Sequence, residues 1–339
     1  MITSELPVMG KVKRCGLFAE TLRYAGGVPQ LRFRLPMGYA ICCSDDGRKL
    51  ACLGRRVNVF DITSRQKIST THPFPHPSHA AFSPDGKILV VKFTSGRIVV
   101  LDPATGNMMH DHKNQREGEG SEVLSSPDGH DLIDASWDGV IKVRKSFERT
   151  VVTQQQFEGE MIKRISHDSV RRTWLIEHRP KLRLGENWPR SPYLTLQKWP
   201  IGKRKPKVLT PDLDIIGSAT LSPDASRVCF VCTRRRLGRW VQIARASDGN
   251  VLATSEEIRI GGTGCGLAWS SDGKYVGSVQ SRRFVFYRAS DLSVVGEVPC
   301  TCPSSICFLP GRDQVALGSW RVSALVEFAD IMTGNAKMP

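Results

Sequence analysis

The sequence predicts an all-β protein assembled from one repeated four-stranded antiparallel unit, and three observations carry that expectation. A reversal centred on aspartate recurs roughly every 40 residues. The segments between reversals are short apolar runs of strand length. A second, closing turn recurs in step with the first.

Residues 81 to 107, "AFSPDGKILVVKFTSGRIVVLDPATGN", show the unit whole. In Ser83-Pro84-Asp85-Gly86, proline presets one φ angle, aspartate can bond its own backbone, and glycine takes the positive φ that a tight reversal needs. The apolar runs Ile88 to Phe93 and Ile98 to Leu101 follow, bounded by the turns Thr94-Ser95-Gly96 and Asp102-Pro103-Ala104-Thr105-Gly106. The unit is therefore an antiparallel meander.

The same aspartate position returns at Asp46, Asp85, Asp128, Asp168, Asp224 and Asp272, with a degenerate copy at Gly311. The intervals are 39, 43, 40, 56, 48 and 39 residues, which makes seven units with an insertion, placed at 178 to 192, in the fourth. Echoes of the closing turn stand at 61 to 66, 245 to 250, 288 to 293 and 330 to 335. After the last of them only "AKMP" remains, too short for a final strand, so Gln30 to Leu35 is expected to supply the missing outer strand and close the ring. The expected fold is a single seven-bladed β-propeller of four-stranded antiparallel blades over residues 28 to 339, preceded by an extension over 1 to 27. Two stacked β-sandwiches also supply many short strands, but they do not require a 40-residue self-similarity, and no Pro/Gly/Ser-rich linker divides the chain.

These units resemble WD-repeat-type β-propellers, as a degenerate member. Phe60-Asp61 and Leu101-Asp102 stand at the end of the third strand, where that repeat has Trp-Asp; Trp137-Asp138 lies instead at a second-strand turn, and the signature Gly-His is absent before the first turn. The resemblance implies a docking platform for other proteins; because the signature dipeptides depart from the family pattern, strand pairing and blade-to-blade packing are expected to hold the ring.

With 40% hydrophobic residues the chain can fill a substantial core, and no run approaches the roughly 20 apolar residues of a membrane span. The first 20 residues lack the apolar block of a signal peptide, so a cytoplasmic protein with no membrane partner is expected. Most of the ten cysteines lie in or beside apolar runs and are expected as buried, reduced thiols. Cys229 and Cys232 have a metal-like spacing, yet three positions along a strand point to opposite faces. His72, His76, His79, His110 and His112 are read as lying in connections between blades, and no metal is expected there. "GGTGCG" at 261 to 266 leads into a strand rather than a helix, and no Gly-x-Ser-x-Gly elbow occurs. No catalytic residue and no cofactor are expected, and the chain is read as not an enzyme.

Charge supplies the functional signal. Forty-eight Lys and Arg against 33 Asp and Glu give +15, and residues 160 to 240 alone hold 18 basic and 7 acidic side chains. In a propeller, turns between second and third strands share one face, here called upper, with the connections between blades. Six of those seven turns carry arginine. The candidate partner-binding residues are Arg55, Arg56, Arg97, Trp137, Arg179, Lys181, Arg183, Trp188, Arg190, Arg234, Arg235, Arg236, Arg239, Trp240, Arg282, Arg283, Trp320 and Arg321. Arginine forks suit carboxylates and phosphates, and arginine and tryptophan dominate interface hot spots. An acidic protein partner for a monomeric ring is the primary expectation. Nucleic acid on the same face, or an anionic substrate of an enzyme at the central channel, are the alternatives. Lys203 to Lys207 belong to the lower face or rim.

Overall fold

The computed structural model describes residues 33–112, 122–181, 192–209, 215–234, 238–258 and 266–338. Their strands pair into seven sheets of four. Blade 1 comprises Ala40–Cys43, Lys49–Leu53, Val57–Asp61 and Gln66–Thr70; blade 2 comprises Pro77–Phe82, Leu89–Phe93, Ile98–Leu101 and Met108–His112. Blade 3 is Val123–Ser125, Asp131–Ala135, Val140–Lys145 and Val151–Gln156, and blade 4 is Glu160–His167, Thr173–Pro180, Tyr193–Lys198 and Lys207–Val208. Ile215–Leu221, Arg227–Arg234, Gly238–Arg245 and Val251–Thr254 make blade 5; Leu267–Trp269, Tyr275–Val279, Arg283–Arg288 and Val294–Pro299 make blade 6. Blade 7 takes Pro303–Phe308, Gln314–Ser319 and Ser323–Glu327, and Phe33–Leu35 pairs antiparallel beside the last of these, Phe33 opposite Leu325. Residues 30 to 32 lie outside the described residues.

Each middle strand is buried on both sides, and alternation sends neighbouring residues to different interfaces. Ala51 and Leu53 pack against Phe82, Leu89 and Val91 of blade 2, while Leu50 and Cys52 pack against Leu309, Ala316 and Leu325 of blade 7. Leu89, Val91 and Phe93 face blade 1, and Val90 faces Val123 and Leu132 of blade 3. The same logic continues through blades 3 to 7, so the chain of apolar clusters returns to its start. The architecture is a seven-bladed β-propeller. Cys229 sides with the blade 6 interface and Cys232 with that of blade 4, as strand alternation requires.

The recurrent reversal is a three-way knot. Ser44, Ser83, Ser126, Ser222 and Ser270 each donate Oγ–H to the aspartate two residues on, at 2.5 to 2.6 Å. The same Oγ accepts the amide five residues on, at 2.9 to 3.0 Å. Each aspartate also accepts the amide two positions further, and against partial desolvation the serine hydroxyl and then this amide lower its pKa. Glycine is required at one of these reversals for space as well as for its φ of +65°: a Cβ at Gly47 would sit 2.2 Å from the Pro310 carbonyl oxygen of the neighbouring blade.

Charged groups bridge blades where apolar contact stops. Lys92 is buried within the apolar second strand of blade 2, and its Nζ donates to Asp134 Oδ1 of blade 3 at 2.6 Å and to the Ala135 carbonyl. On the lower face, Arg171 of blade 4 takes a φ of 55° and reaches Asp45 of blade 1 at 2.7 and 2.9 Å. The same guanidinium donates to the Ser125 carbonyl of blade 3 at 3.0 Å and the Phe82 carbonyl of blade 2 at 3.4 Å. One side chain thus ties four blades together across the ring.

Three expectations are corrected. His79 lies in the inner strand of blade 2, and His110 and His112 in its outer strand, not in connections, because the strands extend further toward the blade boundaries than the turn residues indicate. His178 to Pro180 complete the second strand of blade 4 instead of opening a loop; residues 182 to 191 of the expected insertion lie outside the described residues. The closing echo at 330 to 335 is not a hairpin turn. After the third strand of blade 7 the chain enters a short helix, Phe328–Met332, which buries Phe328 and Ile331 between blades 6 and 7.

Burial and the Arg171 guanidinium hold His167 down to about 4, and burial also lowers His79 and His112. An unfolded imidazole takes a proton near pH 6.5, so as the pH falls from about 6.5 toward 4 the unfolded chain binds more protons than the folded one, and stability is lost. The urea midpoint is therefore expected to drop between pH 7 and pH 5, and His167→Gln to flatten that drop. A midpoint constant over this window contradicts the assignment.

Candidate functional site

The upper face gathers the second-to-third-strand turns and the connections between blades, and two grooves open on it at blades 6, 7 and 1. In blade 1 the turn is pinned from below: Gly54 N–H donates to the Arg56 carbonyl at 3.0 Å, and Phe74 N–H donates to the Arg55 carbonyl at 3.0 Å. A Cβ at Gly54 would stand 2.9 Å from the Met37 carbonyl oxygen, so glycine lets the connecting segment close over the turn. Arg55 and Arg56 are left exposed; Arg56 donates to the Thr71 carbonyl at 3.1 Å.

Trp320 of blade 7 is fixed by its backbone, which donates to the Cys302 carbonyl at 3.1 Å. Its ring stacks on Tyr39 with centroids 4.9 Å apart and planes 22° apart, yet stays 48% exposed. Burial raises the Tyr39 hydroxyl to about 12, so it remains a donor, spent on the Pro77 carbonyl. Arg321 N–H donates to Ser319 Oγ at 3.1 Å, and Arg282 accepts the Cys300 amide on its carbonyl at 2.9 Å. Both side chains are exposed and line one groove of about 460 Å³ with Thr301, Val322 and Met338. Arg55 and Arg56 line a second groove of about 380 Å³ with Pro36, Met37 and Pro73.

Among the described residues, the side chains of Arg55, Arg282 and Arg321 make no ion pair and no hydrogen bond. Other predicted residues of this face are already engaged. Arg97 holds Asp111 through Nε and Nη2 at 3.1 and 2.8 Å and lies over the Phe93 ring. Arg179 pairs with the buried Glu177 at 3.2 Å, and Arg283 with Glu297 at 2.8 Å. Lys181 donates to the Asp138 carbonyl at 2.7 Å, and Trp137 carries Lys163 Nζ over its ring at 5.0 Å. Arg239 and Trp240 sit half-buried at the start of the third strand of blade 5, Trp240 opposite Cys232. Arg183, Trp188, Arg190, Arg235 and Arg236 lie outside the described residues, as does the side chain of Arg234.

Tyr39, Met37 and Met338 were missed in the sequence because they lie beyond the repeats, on the segments entering blade 1 and leaving blade 7. A second polar cluster also escaped notice. His178 is fully buried in blade 4, with Nδ1 3.0 Å from Glu160 Oε2 and Nε2 2.8 Å from Thr195 Oγ1. Tyr193 stacks on it at 4.6 Å and donates to both Glu160 oxygens at 2.6 and 2.7 Å. Both imidazole nitrogens are satisfied, so the group braces three strands of the blade. Among the described residues, no group of three or more His, Cys, Asp or Glu side chains is arranged to hold a metal ion, and no helix is long and apolar enough to cross a membrane.

No family model matches the chain, and no curated protein matches it. Solved structures do. A chain of Kuenenia stuttgartiensis hydrazine synthase is 16% identical with a TM-score of 0.68, over 89% of this chain and 99% of that one. The Myceliophteria thermophila Cps50 (Swd1) β-propeller domain is 11% identical with a TM-score of 0.67, over 88% of this chain and 99% of the other. Identities this low show the fold alone, which is commonly a scaffold for protein interactions; WD-repeat membership is not shown. The hydrazine synthase likeness corrects one reading of the sequence. A propeller of this shape occurs in an enzyme, so the lack of a recognisable catalytic motif does not exclude catalysis.

Proposed function

We propose that the protein docks an acidic protein segment on the upper face of blades 6, 7 and 1. The observation that carries this reading is the trio of exposed guanidinium groups, Arg55, Arg282 and Arg321, which have no partner among the described residues and stand near the stacked Tyr39–Trp320 pair. Arg97, Arg179 and Arg283 have internal carboxylate partners; among the described residues these three do not, and an acidic ligand supplies the missing counter-charge. Two grooves beside them offer apolar walls from Met37, Val322 and Met338. An acidic segment bearing aromatic or aliphatic anchors fits that combination, carboxylates on the forks and anchors against Trp320.

Nucleic acid makes similar demands on a basic surface, and salt separates the two. The test is fluorescence anisotropy with two probes, a short Glu/Asp-rich peptide containing phenylalanine and a random single-stranded oligonucleotide of equal length, from about 50 to about 300 mM salt. The peptide is expected to bind more tightly throughout, with the shallower salt dependence. Tighter binding of the oligonucleotide, lost steeply as salt rises, would overturn the reading.

A further inference from the structure

Two thiols meet at the seam where the last blade packs on the first. Cys43 ends the inner strand of blade 1 and Cys307 lies near the end of the inner strand of blade 7, 264 residues away, yet their Sγ atoms are 3.0 Å apart. Both are free and partly exposed, and both pack against the apolar cluster joining blades 7 and 1. Neighbouring cysteines are placed differently. Cys42 points to the blade 2 interface, as alternation requires, and Cys52 is fully buried.

We propose that Cys43 and Cys307 form an oxidation site that consumes a peroxide and closes to an intramolecular disulfide, stapling the first blade to the last. The sulfurs need to approach by about 1 Å more to reach bonding distance, within reach of side-chain rotation. Either sulfur can donate in the hydrogen bond between them; that bond lowers the Cys307 pKa, so Cys307 is taken as the first nucleophile. Its thiolate attacks one oxygen of hydrogen peroxide; the O–O bond breaks, hydroxide leaves and is protonated to water, and Cys307 becomes a sulfenic acid. The Cys43 sulfur then displaces that hydroxyl, forming the S–S bond and a second water. Two thiols and one peroxide give one disulfide and two waters, with the sulfurs oxidised and the peroxide oxygens reduced.

The position gives the bond its effect. Cys43 and Cys307 bracket almost the whole ring, so a bond between them removes conformational entropy from the unfolded chain over a loop of that length. The pair lies toward the lower face, at the opposite end of the inner strands from Arg55 and Trp320, so the proposal stands or falls independently of the docking surface.

The test treats reduced full-length protein with hydrogen peroxide, alkylates remaining thiols, and maps peptides by mass spectrometry beside a thermal melt. A Cys43 peptide joined to a Cys307 peptide is expected, released by dithiothreitol, with Tm raised on the order of 5 °C. Cys43→Ser should abolish the link and the shift, and Cys42→Ser should keep both. Alkylated thiols at both positions after peroxide, a sulfinic acid at Cys307 without a link, or a link through Cys42 would overturn the proposal.

Discussion

Replacing Lys92 with methionine is expected to destabilise the protein by about 3–5 kcal/mol, the range for breaking a buried ion pair from one side. The ammonium has 1% of its side-chain surface exposed, and its removal leaves the Asp134 carboxylate facing an apolar interface. Arg144 Nε, 3.6 Å from the other Asp134 oxygen, is too distant for a full hydrogen bond and compensates only in part. The Ala135 carbonyl loses its donor as well. Urea denaturation at neutral pH measures the loss. Adding Asp134→Leu should recover part of it, since an apolar pair takes both charges out of the interface. A Lys92→Met variant within about 0.5 kcal/mol of wild type, the scale of an ordinary surface change, would show that the pair does not hold blades 2 and 3 together.

How the fold could be read in advance follows from the same residues. The turn knots are local, five or six residues long, so Asp85 and Gly86 announce their blade from sequence alone, and seven such units imply a ring. Long-range pairings leave no such trace. Lys92 lies inside the apolar run Ile88 to Phe93, and its partner Asp134 lies 42 residues on, one blade later. Arg171 carried no signal for a contact 126 residues away, which exists only because the ring brings blades 1 and 4 across from each other. The candidate site was half legible. Repeat phase put the arginines on one face, but whether a guanidinium is free depends on the register of the neighbouring strand. Arg97 meets Asp111 from the outer strand of its own blade, whereas the Arg55 guanidinium has no partner among the described residues.

Reversing the charge of the three unpaired arginines, as Arg55→Glu, Arg282→Glu and Arg321→Glu together, is expected to weaken capture of an acidic partner about 100-fold, or about 2.7 kcal/mol. Each side chain is exposed and makes no internal hydrogen bond or ion pair among the described residues, so folding should be unaffected, with an unchanged urea midpoint as the control. Trp320→Ala should weaken binding by a further route, removing the exposed apolar plane while leaving the charge intact. Its stacking partner Tyr39 keeps its own hydrogen bond to the Pro77 carbonyl, so the floor of the site should survive the truncation.

The most direct measurement compares two charge reversals on opposite faces, by titrating the acidic, phenylalanine-bearing peptide into each. One variant is the triple change at Arg55, Arg282 and Arg321; the other reverses Lys203 and Lys205 in the third-to-fourth-strand turn of blade 4, on the lower face. Loss of about 100-fold in affinity with the first and less than about threefold with the second is the predicted result. Affinity untouched by the first change and abolished by the second would contradict the assignment of the partner to this face.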